Sequence, residues 1–284
     1  MRLNASPAIA KALGLIAMCA LPAGASSFSA TASATASATC VGVNAQSVTN
    51  PTSASAMASI SGSYGDVVGC GDPANDGASE TSAGMSAANL ATGQLQAYAL
   101  GVTSADPPSG GGGAYAEFSD DLNMIPIGAG SLISGSAMLT LTLDDSSLGA
   151  DVGDLGSQAS IQATIYAVQN GINLTPVVGT CVVGTVPATL PTYEQCQLAL
   201  QLPIGIDASD SSFSFTMVLN VNAVDGEAEA FNTAQAGLIL PVGDTFTSAS
   251  GVFLTQQGES APEPGSLALL GAGLIGLAAL RRRR

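Results

Sequence analysis

Three stretches of the chain alternate in hydropathy with the period of a β-strand. Leu139, Leu141 and Leu143 interleave with Met138, Thr140 and Thr142. Ile161, Ala163, Ile165 and Ala167 interleave with Gln162, Thr164 and Tyr166. Phe213, Phe215, Met217, Leu219 and Val221 interleave with Ser214, Thr216, Val218 and Asn220. Residues two apart share one face of a strand, whereas on a helix they diverge, so this patterning buries an apolar face only as pleated sheet. No stretch between residue 26 and residue 266 carries a long helical stripe. The fold class this implies is all-β: an antiparallel β-sandwich of jelly-roll-like type, its strands short and separated by turn residues.

Around that core pattern the signals are weaker. Residues 26–39 alternate Ser or Thr with Ala and fit either a small-residue strand or a flexible lead-in. Residues 44–81, rich in Gly, Ser, Asp and Pro, read mostly as loops, with a strand from Met57 to Tyr64. One or two strands are expected between Met85 and Val102. Pro107, Pro108 and the glycines Gly110 to Gly113 then predict a break, followed by a short strand from Ala114 to Ser119. Residues 235–240 and 250–255 are the last strand candidates. An apolar share of 46% is ample for a core, although only 4% of residues are aromatic and Trp is absent, so small side chains must fill much of it.

The charge distribution excludes whole classes of function. All Lys and Arg lie at the two ends, at Arg2, Lys11 and Arg281 to Arg284, and the chain has no His. The segment between carries all the acids and about −21 charges when these are ionised. Such a surface repels nucleic acid and anionic lipid. Without His there is no Ser-His-Asp or Cys-His site and no imidazole for zinc. Without internal Lys or Arg there is no phosphate clamp and no Schiff-base lysine. Asp120-Asp121 and Asp144-Asp145 are neighbours, which on a strand point to opposite faces, so neither pair is a two-carboxylate hydrolytic site by itself. No catalytic residues are assigned; a hydrolase with carboxylates on separate strands is a lesser alternative. Oxygen-only calcium ligation is the remaining chemistry, with Asp144, Asp145, Asp151 and Asp154, in one Gly/Ser-rich loop, as its candidate ligands against a reading as solvated turn acids. Asp72 and Asp76, and Asp225, Glu227 and Glu229, form two lesser clusters.

The start of the chain has the order of a secretory signal: Arg2 and Lys11, an apolar run over residues 12–21, Pro22, then Ala23-Gly24-Ala25 as a small-x-small cleavage site. Cleavage after Ala25 is expected, with the Sec translocon and signal peptidase as partners. A lipoprotein reading at Cys19 is disfavoured by the large Met18 before it. Removal of Cys19 leaves Cys40, Cys70, Cys181 and Cys196, an even number suited to disulfides in an oxidising compartment. Four cysteines allow three pairings; sequence order favours Cys40–Cys70 and Cys181–Cys196.

At the other end, Pro262-Glu263-Pro264 stiffens an extended segment, residues 266–280 are uncharged and rich in Leu, Ala and Gly, and Arg281, Arg282, Arg283 and Arg284 follow. As a helix, residues 266–280 would be about 22 Å long at roughly 1.5 Å per residue, short against a hydrocarbon core of roughly 30 Å. Gly271, Gly273 and Gly276 match a dinucleotide fingerprint by letter only, since no βαβ unit fits there. This tail resembles the PEP-CTERM sorting signal of Gram-negative envelope proteins: motif, short transmembrane helix and basic cluster, in that order. The resemblance implies that exosortase, a membrane protease, recognises and removes the tail. It also implies transient anchoring in the inner membrane, then delivery to the cell surface or beyond. A structural role in an extracellular or biofilm matrix, associated with exopolysaccharide, follows from the same resemblance; a calcium- or glycan-binding adhesin is the alternative. The expected organisation is a signal peptide over residues 1–25, an acidic ectodomain over 26–258 and a sorting tail over 259–284.

Overall fold

The structure, a computed structural model, describes residues 28–38, 42–63, 79–103, 110–126, 135–150, 157–184, 192–207 and 210–254. Among these residues there is no helix, and so none long and apolar enough to cross a membrane. Every paired strand is antiparallel. The strands are β1 (Ser29–Ala38), β2 (Gly42–Asn50), β3 (Ser53–Ser63), β4 (Ser79–Asn89), β5 (Gln94–Thr103), β6 (Gly111–Pro126), β7 (Gly135–Ala150), β8 (Gln158–Gln169), β9 (Ile172–Asn173), β10 (Val177–Gly184), β11 (Thr192–Ile206), β12 (Ser212–Val224), β13 (Gly226–Ile239) and β14 (Asp244–Ser248). One sheet runs β10-β8-β12-β6-β1-β2, with β14 on β6 and β9 on β8; the other runs β11-β7-β13-β5-β4-β3.

The two sheets touch in matching order: β1 on β3 and β4, β6 on β4 and β5, β12 on β5 and β13, β8 on β7 and β13, and β10 on β11. Their inward residues join in one apolar cluster. Its composition changes from side to side. Strands β7, β8, β11 and β12 contribute Leu139, Leu141, Leu143, Ile161, Ile165, Leu202, Ile204, Phe215 and Leu219, whereas the described side chains that β1 and β3 bury are Ala30, Ala32, Ala34, Ala36, Ala54, Ala56 and Ala58. On this small-residue side the backbones of opposite sheets meet directly. A Cβ on Gly112 would lie 2.0 Å from the Ala83 carbonyl oxygen, and one on Gly84 would lie 2.2 Å from that of Gly113. Buried serines of β4 bridge the same gap: Ser82 Oγ donates to the Ser37 carbonyl and Ser86 Oγ to the Ser33 carbonyl, both at 2.8 Å. Small residues here are therefore a packing requirement, which accounts for an Ala- and Ser-rich chain with a real core.

Several expectations are corrected. Gly111 to Gly113 do not break the chain; they begin β6, which extends to Pro126, well beyond residues 114–119. Residues 44–50 are not loop but most of β2, an edge strand exposed except at half-buried Val48 and therefore lacking hydrophobic alternation; its pairing with β1 selects it. The strand near Met57 begins at Ser53, and Met85 to Val102 lies across two strands, β4 and β5. Residues 250–254 form a turn, not a final strand, with Gly251 at φ 67° and Leu254 at φ 55°. The cause is side-chain capture, described below.

Strand β7 contains a phase slip. Leu139, Leu141 and Leu143 point inward, then Ser146, Leu148 and Ala150. Asp144 and Asp145 occupy the slip, because Leu198 pairs with Leu143 and Cys196 with Ser146, leaving two residues of β7 opposite Gln197 alone. This is a β-bulge.

Candidate functional site

The residues expected to carry function divide into those that the described fold holds and those outside it. Pro262, Glu263, Pro264, Arg281, Arg282, Arg283, Arg284, Ala23, Ala25, Cys40, Cys70, Asp151 and Asp154 all lie outside the described residues. Cys181 and Cys196 are bonded, with an S–S distance of 2.09 Å. The bond joins β10, the last strand of one sheet, to β11, the last strand of the other, and so staples the two sheets along one edge. The opposite edge is closed by the chain itself, since β2 and β3 are consecutive and touch across the sheets. There Gln46 Oε1 accepts the Met57 N–H at 2.7 Å.

The acids are dispersed. Asp144 is exposed and lies in β7 with Asp145, at the bulge rather than in a loop. Among the described residues no three His, Cys, Asp or Glu come together as a metal-binding group. Asp225, Glu227 and Glu229 do not converge. Asp225 is buried at the β12–β13 turn, φ 45°, and accepts the Ser157 hydroxyl at 2.9 Å. Glu227 and Glu229 lie on the outer face of their sheet beside Tyr98, which is registered opposite Glu229. Partial burial and the two carboxylates, Glu227 also as a hydrogen-bond partner, push the Tyr98 hydroxyl up to about 12. Tyr115 and Glu117 form a second Tyr–Glu hydrogen bond, two residues apart on β6.

Asp120 has the arrangement that sequence reasoning missed. Within the adjacent pair it faces inward and is buried, whereas Asp121 is only half-buried, as strand alternation requires. Its neighbours on the same face are Phe118 and Leu122. A carboxylate in such a place is costly unless fully hydrogen-bonded. The Asp120 carboxylate accepts the Asp121 N–H at 2.8 Å, the Ser250 N–H at 3.1 Å and the Ser250 hydroxyl. Two of its three donors thus come from the turn that ends the described fold. The turn is held further by Ala249 N–H to the Asp121 carbonyl at 2.8 Å, and by Leu254 N–H to that of Leu90 at 3.3 Å. Phe253, fully buried, lies 4.7 Å from Phe215 between ring centroids, 6.2 Å from Phe246 and 6.3 Å from Phe118.

The first described strand meets the same place. β1 pairs with β6 from Ser119 back to Gly111, and β14 pairs with β6 from Pro126 to Leu122. Ser29 Oγ lies 3.1 Å from Ser119 Oγ. β1 therefore begins, and β14 ends, beside the middle of one strand, at Ser119 to Leu122, and from β14 the chain runs on through the turn to Leu254.

Residues 260–284 match a family model described as the PEP-CTERM protein-sorting motif. No curated protein matches the chain. Among solved structures, the infectious bursal disease virus VP2 subviral particle aligns at 12% identity over 90% of this chain and 75% of that one, with a TM-score of 0.12. So low a score supports no conclusion about fold or role.

Proposed function

Since residues 260–284 carry a PEP-CTERM protein-sorting motif, we propose that this is an exported envelope protein whose tail exosortase recognises and removes. The match to the tail carries this reading. In it, the Sec translocon and signal peptidase deliver the folded part outside the cytoplasm. The apolar run over residues 266–280 and its arginines hold the chain at the inner membrane until cleavage, after which the ectodomain reaches the surface or the medium.

The ectodomain's own role in this proposal is structural and non-enzymatic, as a component of an extracellular matrix. The folded part is read as a β-sandwich. Matching strand order in the two sheets, a shared apolar cluster and a disulfide across one edge support that reading. The commitment of two buried carboxylates also supports a structural role: Asp120 is spent on the 248–254 turn and Asp225 receives Ser157. The test is the mass of the mature protein in hosts with and without exosortase. Loss of the tail only in the host with the enzyme is expected. An identical C-terminus in both hosts refutes the sorting reading. Deleting residues 262–284 is expected to misplace the protein, and unchanged localisation refutes the same point.

A further inference from the structure

The described fold ends in a fastened turn, and the fastening limits how far the sorting motif can stand from the body. Asp120 receives two hydrogen bonds from Ser250, and Phe253 is sunk among Phe118, Phe215 and Phe246. Residues 248–254 are thereby fixed up to Leu254, whose N–H reaches the Leu90 carbonyl. From Leu254 to Pro262, at roughly 3.3–3.6 Å per residue, a fully extended chain reaches at most about 26–29 Å. A chain free from Ser248 onward would reach about 46–50 Å. We infer that the Asp120–Ser250 latch, with Phe253, sets the stand-off between the folded domain and the sorting motif. Asp120 is then a positioning residue for tail processing, acting through Ser250 and never touching the protease. This inference rests on the sorting reading above.

The coupling has a physical origin. Asp120 sits on an otherwise apolar face, so an undocked Ser250 leaves a buried carboxylate short of donors, a condition the fold resists. The turn therefore stays closed under conditions in which an ordinary loop of this length frays. A membrane-bound protease meets the motif only within the reach of the tethering segment, and its effective concentration drops steeply once the segment cannot span the distance.

The experiment uses the full chain co-expressed with exosortase and follows tail removal by mass. Deleting residues 256–260 shortens the tether to about 10 Å beyond Leu254, and processing is expected to fall about tenfold or more. Adding Asp120→Leu, which removes both acceptors of Ser250, and Phe253→Ser, which removes the aromatic anchor, to the shortened chain frees the turn and is expected to restore processing, as is inserting five Gly/Ser residues in place of the deleted segment. The shortened chain processed at the unaltered rate overturns the inference. So does a shortened chain that the Gly/Ser insertion rescues but unlatching does not. Absence of processing in the unaltered chain overturns the sorting reading, and this inference with it. A second measurement does not depend on the doubly substituted variant folding. In Ser250→Ala, amide exchange at Ala249 and Gly251, whose acceptors the substitution leaves in place, is expected to accelerate about tenfold or more, with β6 unchanged; equal protection overturns the latch.

Discussion

Gly112→Ala tests the proposition that the two sheets meet backbone to backbone. The added methyl would lie 2.0 Å from the Ala83 carbonyl oxygen, 2.5 Å from the Leu100 carbonyl oxygen and 2.8 Å from the Leu100 nitrogen. All three are backbone atoms of the opposite sheet, and none can rotate away. The sheets must part locally by roughly 1 Å or more, a gap that forfeits a quarter to a half of each van der Waals contact across it. The Ser82 and Ser86 bonds to β1, both 2.8 Å, lengthen with it; each is worth about 1 kcal/mol net. Overpacking of this kind adds about 1–3 kcal/mol, giving a total loss of about 3–5 kcal/mol. For a domain of this size each kcal/mol moves Tm by about 2–4 °C, so a drop of about 6–20 °C is expected in thermal unfolding of the purified protein followed by far-ultraviolet circular dichroism. Gly184→Ala is the control, because a Cβ there meets nothing within 4 Å; its Tm is expected to stay put or rise slightly. Equal Tm values for the two variants would refute the reasoning.

Replacing Cys181 and Cys196 together by Ala removes the staple between β10 and β11, whose cysteines are 15 residues apart. The expected loss is about 3 kcal/mol in the chain-entropy model, read as the difference in denaturation midpoint between the oxidised protein and the variant. Tyr98 keeps its proton more tightly in the folded state, with its hydroxyl at about 12 against an ordinary 10.0. The stability this contributes is present in full below pH 10 and is lost as the pH rises through about 12. Tyrosinate absorbance should show a late-titrating group that disappears in Tyr98→Phe and titrates earlier in Glu227→Gln; unchanged curves would remove the Tyr98–Glu227 pairing. Deleting Asp145 takes one residue out of the β7 bulge and leaves Ser146, Leu148 and Ala150 facing inward, so a folded protein is expected. Deleting Ser147 turns Leu148 outward and is expected to prevent accumulation of folded protein.

Much of the fold was legible where large apolar residues alternate, as in Ile161 to Ala167 and Phe213 to Val221, because burial there is decided within the strand. The misreadings concern residues whose conformation is decided elsewhere. Gly111 to Gly113 look like a break until the opposite sheet is known to crowd Gly112, and the neighbouring strands β12 and β1 to crowd Gly111 and Gly113. Residues 43–50 lack alternation because this edge strand leaves all of them but half-buried Val48 open to solvent. Residues 250–254 end in the β-prone apolar run Val252-Phe253-Leu254, yet Asp120, distant in sequence, takes the Ser250 N–H that a ladder would use. The β7 bulge had a readable signal, the change from odd to even in Leu143 and Ser146, which flanking Asp residues disguised as a loop. The Cys181–Cys196 bond agrees with the pairing favoured by sequence order, while its position across two sheet edges needed the fold. The sorting tail was legible because its signal is contiguous; the latch at its root was not, because it joins β6 to a turn far along the chain.

The meeting of the start of β1 and the end of β14 at the middle of β6 has a mechanical consequence. β1 runs from that point toward Gly111, and β14 arrives at it from the direction of Pro126. A pull applied between Ser29 and Leu254 loads β1 at its nearest tip, and on the other side loads the Asp120–Ser250 and Phe253 contacts first and then the nearest tip of β14. Force there unzips β1 and β14 from β6 bond by bond, while the Leu- and Phe-rich side and its stapled edge carry little of the load.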